Sequence, residues 1–218
     1  MNNNLPTVFV VDDDDAVRKS LRFLFKSLGL SADCHATAQE FLAHYRPEQP
    51  GCLVLDVRMP GMSGLELQQE LNVRGAMLPV IFITGHGDIP MAVEAMQHGA
   101  FDFLQKPFRD QELIDRVQKA LEKDSENRKA HRDVERLRRQ FAELTPREHE
   151  VLQLLMAGKS NKVMAADLGL SQRTVEIHRA RVMEKTGAHS VAQLVRMALD
   201  AGGAGAVTGT SNGASAAK

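Results

Sequence analysis

The chain of 218 residues has no tryptophan, one tyrosine and two cysteines. Cys34 and Cys52 stand far apart, with no CxxC or CxxH spacing around either, so neither a zinc site nor a redox pair is indicated. No stretch approaches the roughly twenty apolar residues that a membrane span needs. The opening residues, MNNNLPT, lack the charged and apolar segments of a secretory signal. These absences favour reduced thiols and a cytoplasmic, non-membrane protein. Overall net charge is −1, yet the balance is uneven. Residues 1–121 hold 11 Lys and Arg against 16 Asp and Glu, whereas residues 144–200 hold 8 against 6. An acidic front precedes a mildly basic rear.

Three short apolar runs, TVFVV, CLVLD and PVIFIT, alternate with helical patterns such as Val17, Leu21, Leu24 and Leu28, closed by Gly29. That alternation predicts βαβ units around a parallel sheet, which the weaker strands SADCHA and AFDFLQ extend to five. Residues 1–121 therefore read as one α/β domain. Residues 122–143 are dense in charge, with apolar helical spacing only at Val134, Leu137 and Phe141. They read as a helical linker, either a solvated helix or a weak coiled-coil contact. Over residues 144–200 the strands vanish, and Ser or Thr, a helix, then Gly recurs three times: Thr145 to Gly158, Ser160 to Gly169, Ser171 to Gly187. Residues 201–218 are small and polar, the composition of a disordered tail.

In a parallel α/β sheet, ligands gather where strand carboxyl ends meet loops. The strand ends here supply Asp12 and Asp13, Asp56, Thr84 and Lys106. Clustered carboxylates repel unless a cation neutralises them, and hard oxygen ligands suit Mg²⁺. A carboxylate beside Mg²⁺ can attack phosphorus, which makes Asp56 the candidate nucleophile, with Lys106 and Thr84 placed for phosphoryl oxygens. The bland alternative, that these acids are helix caps, is assigned to Asp14 or Asp15. RMPGMSG, Arg58 to Gly64, would be the loop over the metal, with a backbone carbonyl available to it. A phosphohydrolase is the rival reading, but Val57 and Arg58 follow Asp56 where such enzymes carry a second Asp two positions on.

VVDDD, LVLDVRMPGMSGLEL, FITGHGD and FLQKPF resemble the receiver domain of bacterial two-component response regulators. The resemblance implies a flavodoxin-like (βα)5 fold, phosphorylation of Asp56 by a sensor histidine kinase, and Mg²⁺ held by Asp12, Asp13, Asp56 and the Arg58 carbonyl. It implies Lys106 on the phosphoryl group, Thr84 and Phe103 as a hydroxyl and aromatic switch, and a cis bond at Lys106-Pro107. It further implies dimerisation through the fourth helix, fifth strand and fifth helix.

In the rear, LTPREHEVLQLLMAG carries a capping box, Thr145 with Glu148, and Pro146 at the first helical position. Two helices separated by GLS follow, the punctuation of a helix-turn-helix. On the second, Val175, His178 and Val182 share one face, and Arg173, Glu176, Ile177, Ala180 and Arg181 the other, a surface that suits a major groove. A protein-binding helical module is the alternative on pattern alone. LTPRE, NKVMAADLGLSQRTVEIHRARVMEK and LVRMAL resemble the LuxR-type DNA-binding domain, an all-α four-helix unit, so that the whole chain is similar to the NarL/FixJ family and its FixJ-like members. By position, Glu176, Ile177 and Ala180 face base edges. Asn161, Lys162, Arg173, Thr174, His178, Arg179, Arg181 and Lys185 are candidates for phosphates and groove walls, with base contact from Arg173 or Arg181 as the alternative. Glu176 either accepts from a cytosine amino group or repels wrong sites. Thr186 stands where that family usually has an apolar residue. The implied partners are promoter DNA and RNA polymerase, and the implied outcome is activation. A regulator that works without phosphorylation is the third reading.

Overall fold

The computed structural model describes residues 5–85 and 89–202. By its internal contacts the chain divides between Lys129 and Ala130. Residues 86–88, which end the FITGHGD motif, and residues 203–218 of the tail lie outside the described residues.

The first part alternates strand and helix: β1 (Thr7–Val11), α1 (Asp15–Ser27), β2 (Ser31–His35), α2 (Ala38–His44), β3 (Gly51–Asp56), α3 (Gly64–Val73), β4 (Val80–Thr84), α4 (Ile89–Gln97), β5 (Asp102–Gln105) and the start of α5 (Asp110–Ala142). All pairings are parallel, in the order β2-β1-β3-β4-β5. The order reverses at β1 and β3, and this switch point opens the crevice where ligands bind. Strand residues alternate between two cores. Phe9, Val11, Leu53, Leu55 and Phe82 pack with Phe41, Leu67, Leu71 and Ala95 of α2, α3 and α4. Val8, Val10, Cys52, Val54, Ile81 and Ile83 pack with Leu21 and Phe25 of α1 and Leu113, Val117 and Ala120 of α5. A sheet covered on both faces explains why the central strands read as unbroken apolar runs.

Local chemistry sets the boundaries. Asp14 caps α1 by accepting the Ala16 N–H at 2.8 Å. Ser63 and Glu66 form a capping box at α3. Leu28, expected on the buried face of α1, is the C-cap and 45 % exposed, and Phe25 is the fully buried residue of that last turn. Gly64 is required by close approach, because a Cβ there would lie 2.3 Å from the Asp56 carbonyl oxygen.

The segment 122–143 differs from a free linker at both ends. Asp124 is 1 % exposed, and its carboxylate accepts the Gly51 N–H at 3.0 Å. Arg128 Nε donates to both Asp124 oxygens at 2.9 and 2.8 Å, Nη1 to the Pro47 carbonyl at 2.9 Å and Nη2 to the Gln49 carbonyl at 2.7 Å. Gly51 must be glycine, since a Cβ would sit 2.0 Å from the Thr7 carbonyl oxygen. A buried ion pair in which every guanidinium nitrogen makes a hydrogen bond holds this stretch of α5 to the first part. At the other end Phe141 is fully buried in the second core, with Leu137 packed beside it.

The second part builds on that end of α5. Its helices α6 (Pro146–Met156), α7 (Asn161–Leu168), α8 (Gln172–Thr186) and α9 (Val191–Asp200) are capped by Thr145, Ser160, Ser171 and Ser190, each side chain accepting a backbone N–H. Val151, Leu152, Met164, Val175, Val182, Leu194 and Ala198 fill the core. Thr186 is fully buried, and its hydroxyl donates to the Val182 carbonyl at 2.7 Å. That bond answers the packing question its polarity raises. Ala201, placed with the tail on composition, is instead buried, and its carbonyl accepts from Arg138 Nε at 3.1 Å. Composition missed it because a single small residue signals nothing about what lies over it.

Candidate functional site

Asp12 follows β1, Asp56 ends β3, Thr84 ends β4 and Lys106 follows β5, so one edge of the sheet gathers them. Lys106 Nζ donates to Asp12 Oδ2 at 2.8 Å and to Asp56 Oδ1 at 2.9 Å. The remaining oxygens accept backbone donors: Asp12 Oδ1 takes the Asp14 N–H at 2.9 Å, and Asp56 Oδ2 the Arg58 N–H at 2.7 Å. Asp12, Asp56 and Thr84 are 1 %, 7 % and 2 % exposed. The Lys106-Pro107 bond is cis. The Lys106 N–H donates to the Thr84 carbonyl at 2.7 Å, which ties the ends of β4 and β5 together.

Burial, and more weakly the charge of Asp56, pushes the Asp12 carboxyl above its ordinary value against the lowering effect of Lys106 and the Asp14 N–H. Burial works against the Lys106 ammonium, but its hydrogen bonds to Asp12 and Asp56 prevail and its pKa is raised. One ammonium thus serves two carboxylates, and the cluster keeps an excess negative charge.

Asp13 is exposed. Among the described residues no three carboxylate, imidazole or thiol groups are gathered closely enough to hold a metal ion. Of the three acids expected on the sequence, Asp12 and Asp56 are joined by the Lys106 ammonium, and Asp13 stands outside that pairing. The donor chemistry nonetheless fits Mg²⁺, being all oxygen and under-neutralised. Phe103 is half-buried and packs against the core that contains Phe82. Two contributors carried no sequence signal. Arg18 Nη1 donates to the Asp12 carbonyl at 2.7 Å, and the His35 carbonyl accepts the Asp12 N–H at 3.3 Å.

The second candidate surface is α8. Val175, Val182 and Thr186 are buried and His178 is half-buried, its Nδ1 without a partner among the described residues. Arg173, Glu176, Ile177, Ala180 and Arg181 are exposed, Ile177 by 48 %. The division of faces is the one that helical spacing predicts. Lys162 is exposed at the start of α7. Four of the residues expected at phosphates and groove walls, Asn161, Thr174, Arg179 and Lys185, have partners inside this unit. The Thr174 hydroxyl shares a 2.8 Å hydrogen bond with the Ser171 hydroxyl in the cap of α8. Arg179 donates to Asn161 Oδ1. Lys185 Nζ donates to Glu148 Oε2 at 2.7 Å and to the Glu143 carbonyl at 3.1 Å. Sequence cannot separate these from free surface groups, because their partners lie 18 or more residues away or in a cap.

A flavodoxin-like sheet with paired acids and a lysine at its switch point, in one chain with a helix-turn-helix, defines a two-component response regulator that acts through DNA. Residues 8–118 match the family described as "Response regulator receiver domain", and residues 142–198 match "Bacterial regulatory proteins, luxR family". The chain is 52 % identical over 202 residues to "Transcriptional regulatory protein FixJ" of Azorhizobium caulinodans, covering 93 % of this chain and 95 % of that protein. It is also 52 % identical over 190 residues to "Nodulation protein W" of Bradyrhizobium diazoefficiens, covering 87 % and 84 %. A solved structure titled "Low Resolution Structure of Response Regulator StyR" superposes with a TM-score of 0.82 at 48 % identity, covering 89 % of this chain and 98 % of that one. The chain belongs to the NarL/FixJ family of DNA-binding transcriptional response regulators, with a receiver domain and a LuxR-type domain. Among the described residues no helix is long and apolar enough to cross a membrane.

Proposed function

We propose that Asp56 is the phosphoacceptor and that its phosphorylation switches DNA binding. The observation that carries this is Lys106 Nζ, within 2.9 Å of Asp56 Oδ1 and 2.8 Å of Asp12 Oδ2 at the sheet switch point. An Asp56 carboxylate oxygen attacks the phosphorus of a phosphohistidine, the P–N bond breaks, and the imidazole leaves with its electron pair. Lys106 holds a phosphoryl oxygen, and Asp12, Asp13, Asp56 and the Arg58 carbonyl are the ligands for Mg²⁺. When bound, the ion offsets negative charge on the transferring group. Thr84 then draws toward the phosphoryl group and Phe103 turns inward.

The dimer face is α4, β5 and α5. On α4, Val93 and Met96 are 49 % and 48 % exposed, which is apolar surface in need of a cover. Two charges added at Asp56 compete with about 5.5 kcal/mol needed to move a population from 1:99 to 99:1, so dimer and DNA contacts share the work. Two copies of α8 then occupy adjacent half-sites in major grooves. The chain acts in the cytoplasm, where a sensor kinase phosphorylates it and RNA polymerase receives its signal at the promoter. It is not a phosphohydrolase. Arg58 stands two positions after Asp56 where such an enzyme carries a carboxylic acid for its leaving group, and its guanidinium lies 3.8 Å from Met91 Sδ. On this reading the domains are a receiver, a helical connector and a LuxR-type unit.

The test is molar mass by light scattering with and without Mg²⁺ and beryllium fluoride, on wild type and Asp56→Asn. A monomer that becomes a dimer only in wild type is the expected result. A mass indifferent to the mimic overturns the coupling of Asp56 to this face.

A further inference from the structure

Three side chains on α7 and α8 form a chain of their own. Asn161, the first residue of α7, accepts from Arg179 through Oδ1 and donates through Nδ2 to Glu176 Oε1 at 3.4 Å. Chemistry fixes this amide's orientation. A guanidinium has only donors and a carboxylate only acceptors, so the flipped amide would place NH₂ against NH and oxygen against oxygen. Arg179 thereby sets Asn161, and Asn161 sets Glu176. Glu176 is exposed on the outer face of α8, between Arg173 and Ala180, with Ile177 exposed beside it.

We propose that Glu176 reads the amino group of a cytosine in the major groove, and that Asn161 is the positioning residue that holds its carboxylate ready. The proposal rests on the reading of α8 as the groove helix. A carboxylate offers acceptors alone, and cytosine presents its N4 donor there without an acceptor on the same base. Adenine sets N7 beside N6, and guanine shows O6 and N7, both of which repel a carboxylate. Holding one oxygen of Glu176 through Asn161 removes rotamer freedom before DNA arrives, which is the free energy a surface glutamate otherwise spends on binding. Arg179 compensates the charge of Glu176 through the amide. Its role is orientation within the protein, which leaves Arg173, Arg181 and Lys162 to the phosphates.

The full-length chain, with Mg²⁺ and beryllium fluoride, is presented with a pool of randomised duplex DNA, and base preferences are compared among variants. Wild type is expected to select cytosine at one position of each half-site. Glu176→Ala should lower that preference by about tenfold to a hundredfold and leave the other positions unchanged. Glu176→Gln should shift it toward adenine, whose N6 and N7 suit an amide. Asn161→Asp keeps the acceptor for Arg179 but removes the donor to Glu176, so it should weaken the cytosine preference while helix content and thermal midpoint stay near wild type. A merely structural role for Asn161 would move the midpoint and not the preference. If Glu176→Ala binds every sequence more tightly by one common factor, Glu176 only repels and the inference fails. If wild type selects a sequence that ignores Glu176, the inference fails while the groove reading stands. If wild type selects no sequence and its binding is indifferent to salt, the groove reading falls with it.

Discussion

Replacing Asp124 by Ala removes the carboxylate that accepts the Gly51 N–H and both Nε contacts of Arg128. Arg128, only 8 % exposed, then keeps the carbonyls of Pro47 and Gln49 but loses its counter-charge. A buried pair broken at one partner costs about 3–5 kcal/mol, because the surviving charge stays buried without compensation. The orphaned Gly51 N–H accounts for about 1–3 kcal/mol of that. Against a domain stability of about 5–15 kcal/mol, the loss would be plain in urea unfolding followed by circular dichroism. The location is read by hydrogen exchange, where the Gly51 amide should lose its protection. Arg128→Ala should cost a similar amount, and the double variant should fall short of the sum by about 0.5–3 kcal/mol. A change below about 0.5 kcal/mol for Asp124→Ala with Gly51 still protected, or strictly additive singles, would refute the clamp.

Three further outcomes follow from geometry and charge. Burial works to raise the Glu148 carboxyl, but hydrogen bonds from Lys185 and Thr145 prevail and hold it at about 2. Its ionised form therefore stabilises the second unit above the ordinary glutamate range, and that contribution is lost as pH falls toward 2. Glu148→Gln should cost about 1.5–3 kcal/mol at pH 7 and flatten the acid limb in a pH series of thermal midpoints. Asp12 shifts the other way, so its ionised form costs stability that is fully lost to the receiver at neutral pH. Asp12→Asn should raise the thermal midpoint at pH 7, with the advantage fading as pH falls through the folded-state value, while Asp56 phosphorylation by acetyl phosphate, read by intact mass, weakens. Gly51→Ala should cost more than about 4 kcal/mol, read as loss of soluble, helical protein.

Much of the receiver was legible because each informative strand ends in a group with its own chemistry. Asp12, Asp56 and Thr84 sit at the ends of apolar runs that announce themselves and Lys106 follows the weaker AFDFLQ, so topology brings them to one edge. The helix ends of the rear half were legible for the same local reason, since Thr145, Ser160 and Ser171 act on donors three residues away. What escaped depends on distance in sequence. Asp124 and Arg128 look like any i, i+4 pair in a charge-dense helix, and only the fold places Gly51 against them. Lys185 was readable as a phosphate contact because Glu148, 37 residues earlier, is hidden by a capping box that appears complete on its own. Asp13 is exposed and is not one of the two carboxylates that Lys106 joins, so its expected part rests on metal binding and not on that pairing.

The clamp also marks where this chain can be cut and spliced. A receiver fragment ended at residue 121 would leave the Gly51 N–H and the carbonyls of Pro47 and Gln49 without their partners, whereas one ended after Arg128 keeps them all. From the other side, a DNA-binding fragment begun at Leu144 would forfeit Phe141, a fully buried member of its core. The stretch between Arg128 and Leu137 is thus where a foreign receiver is best joined.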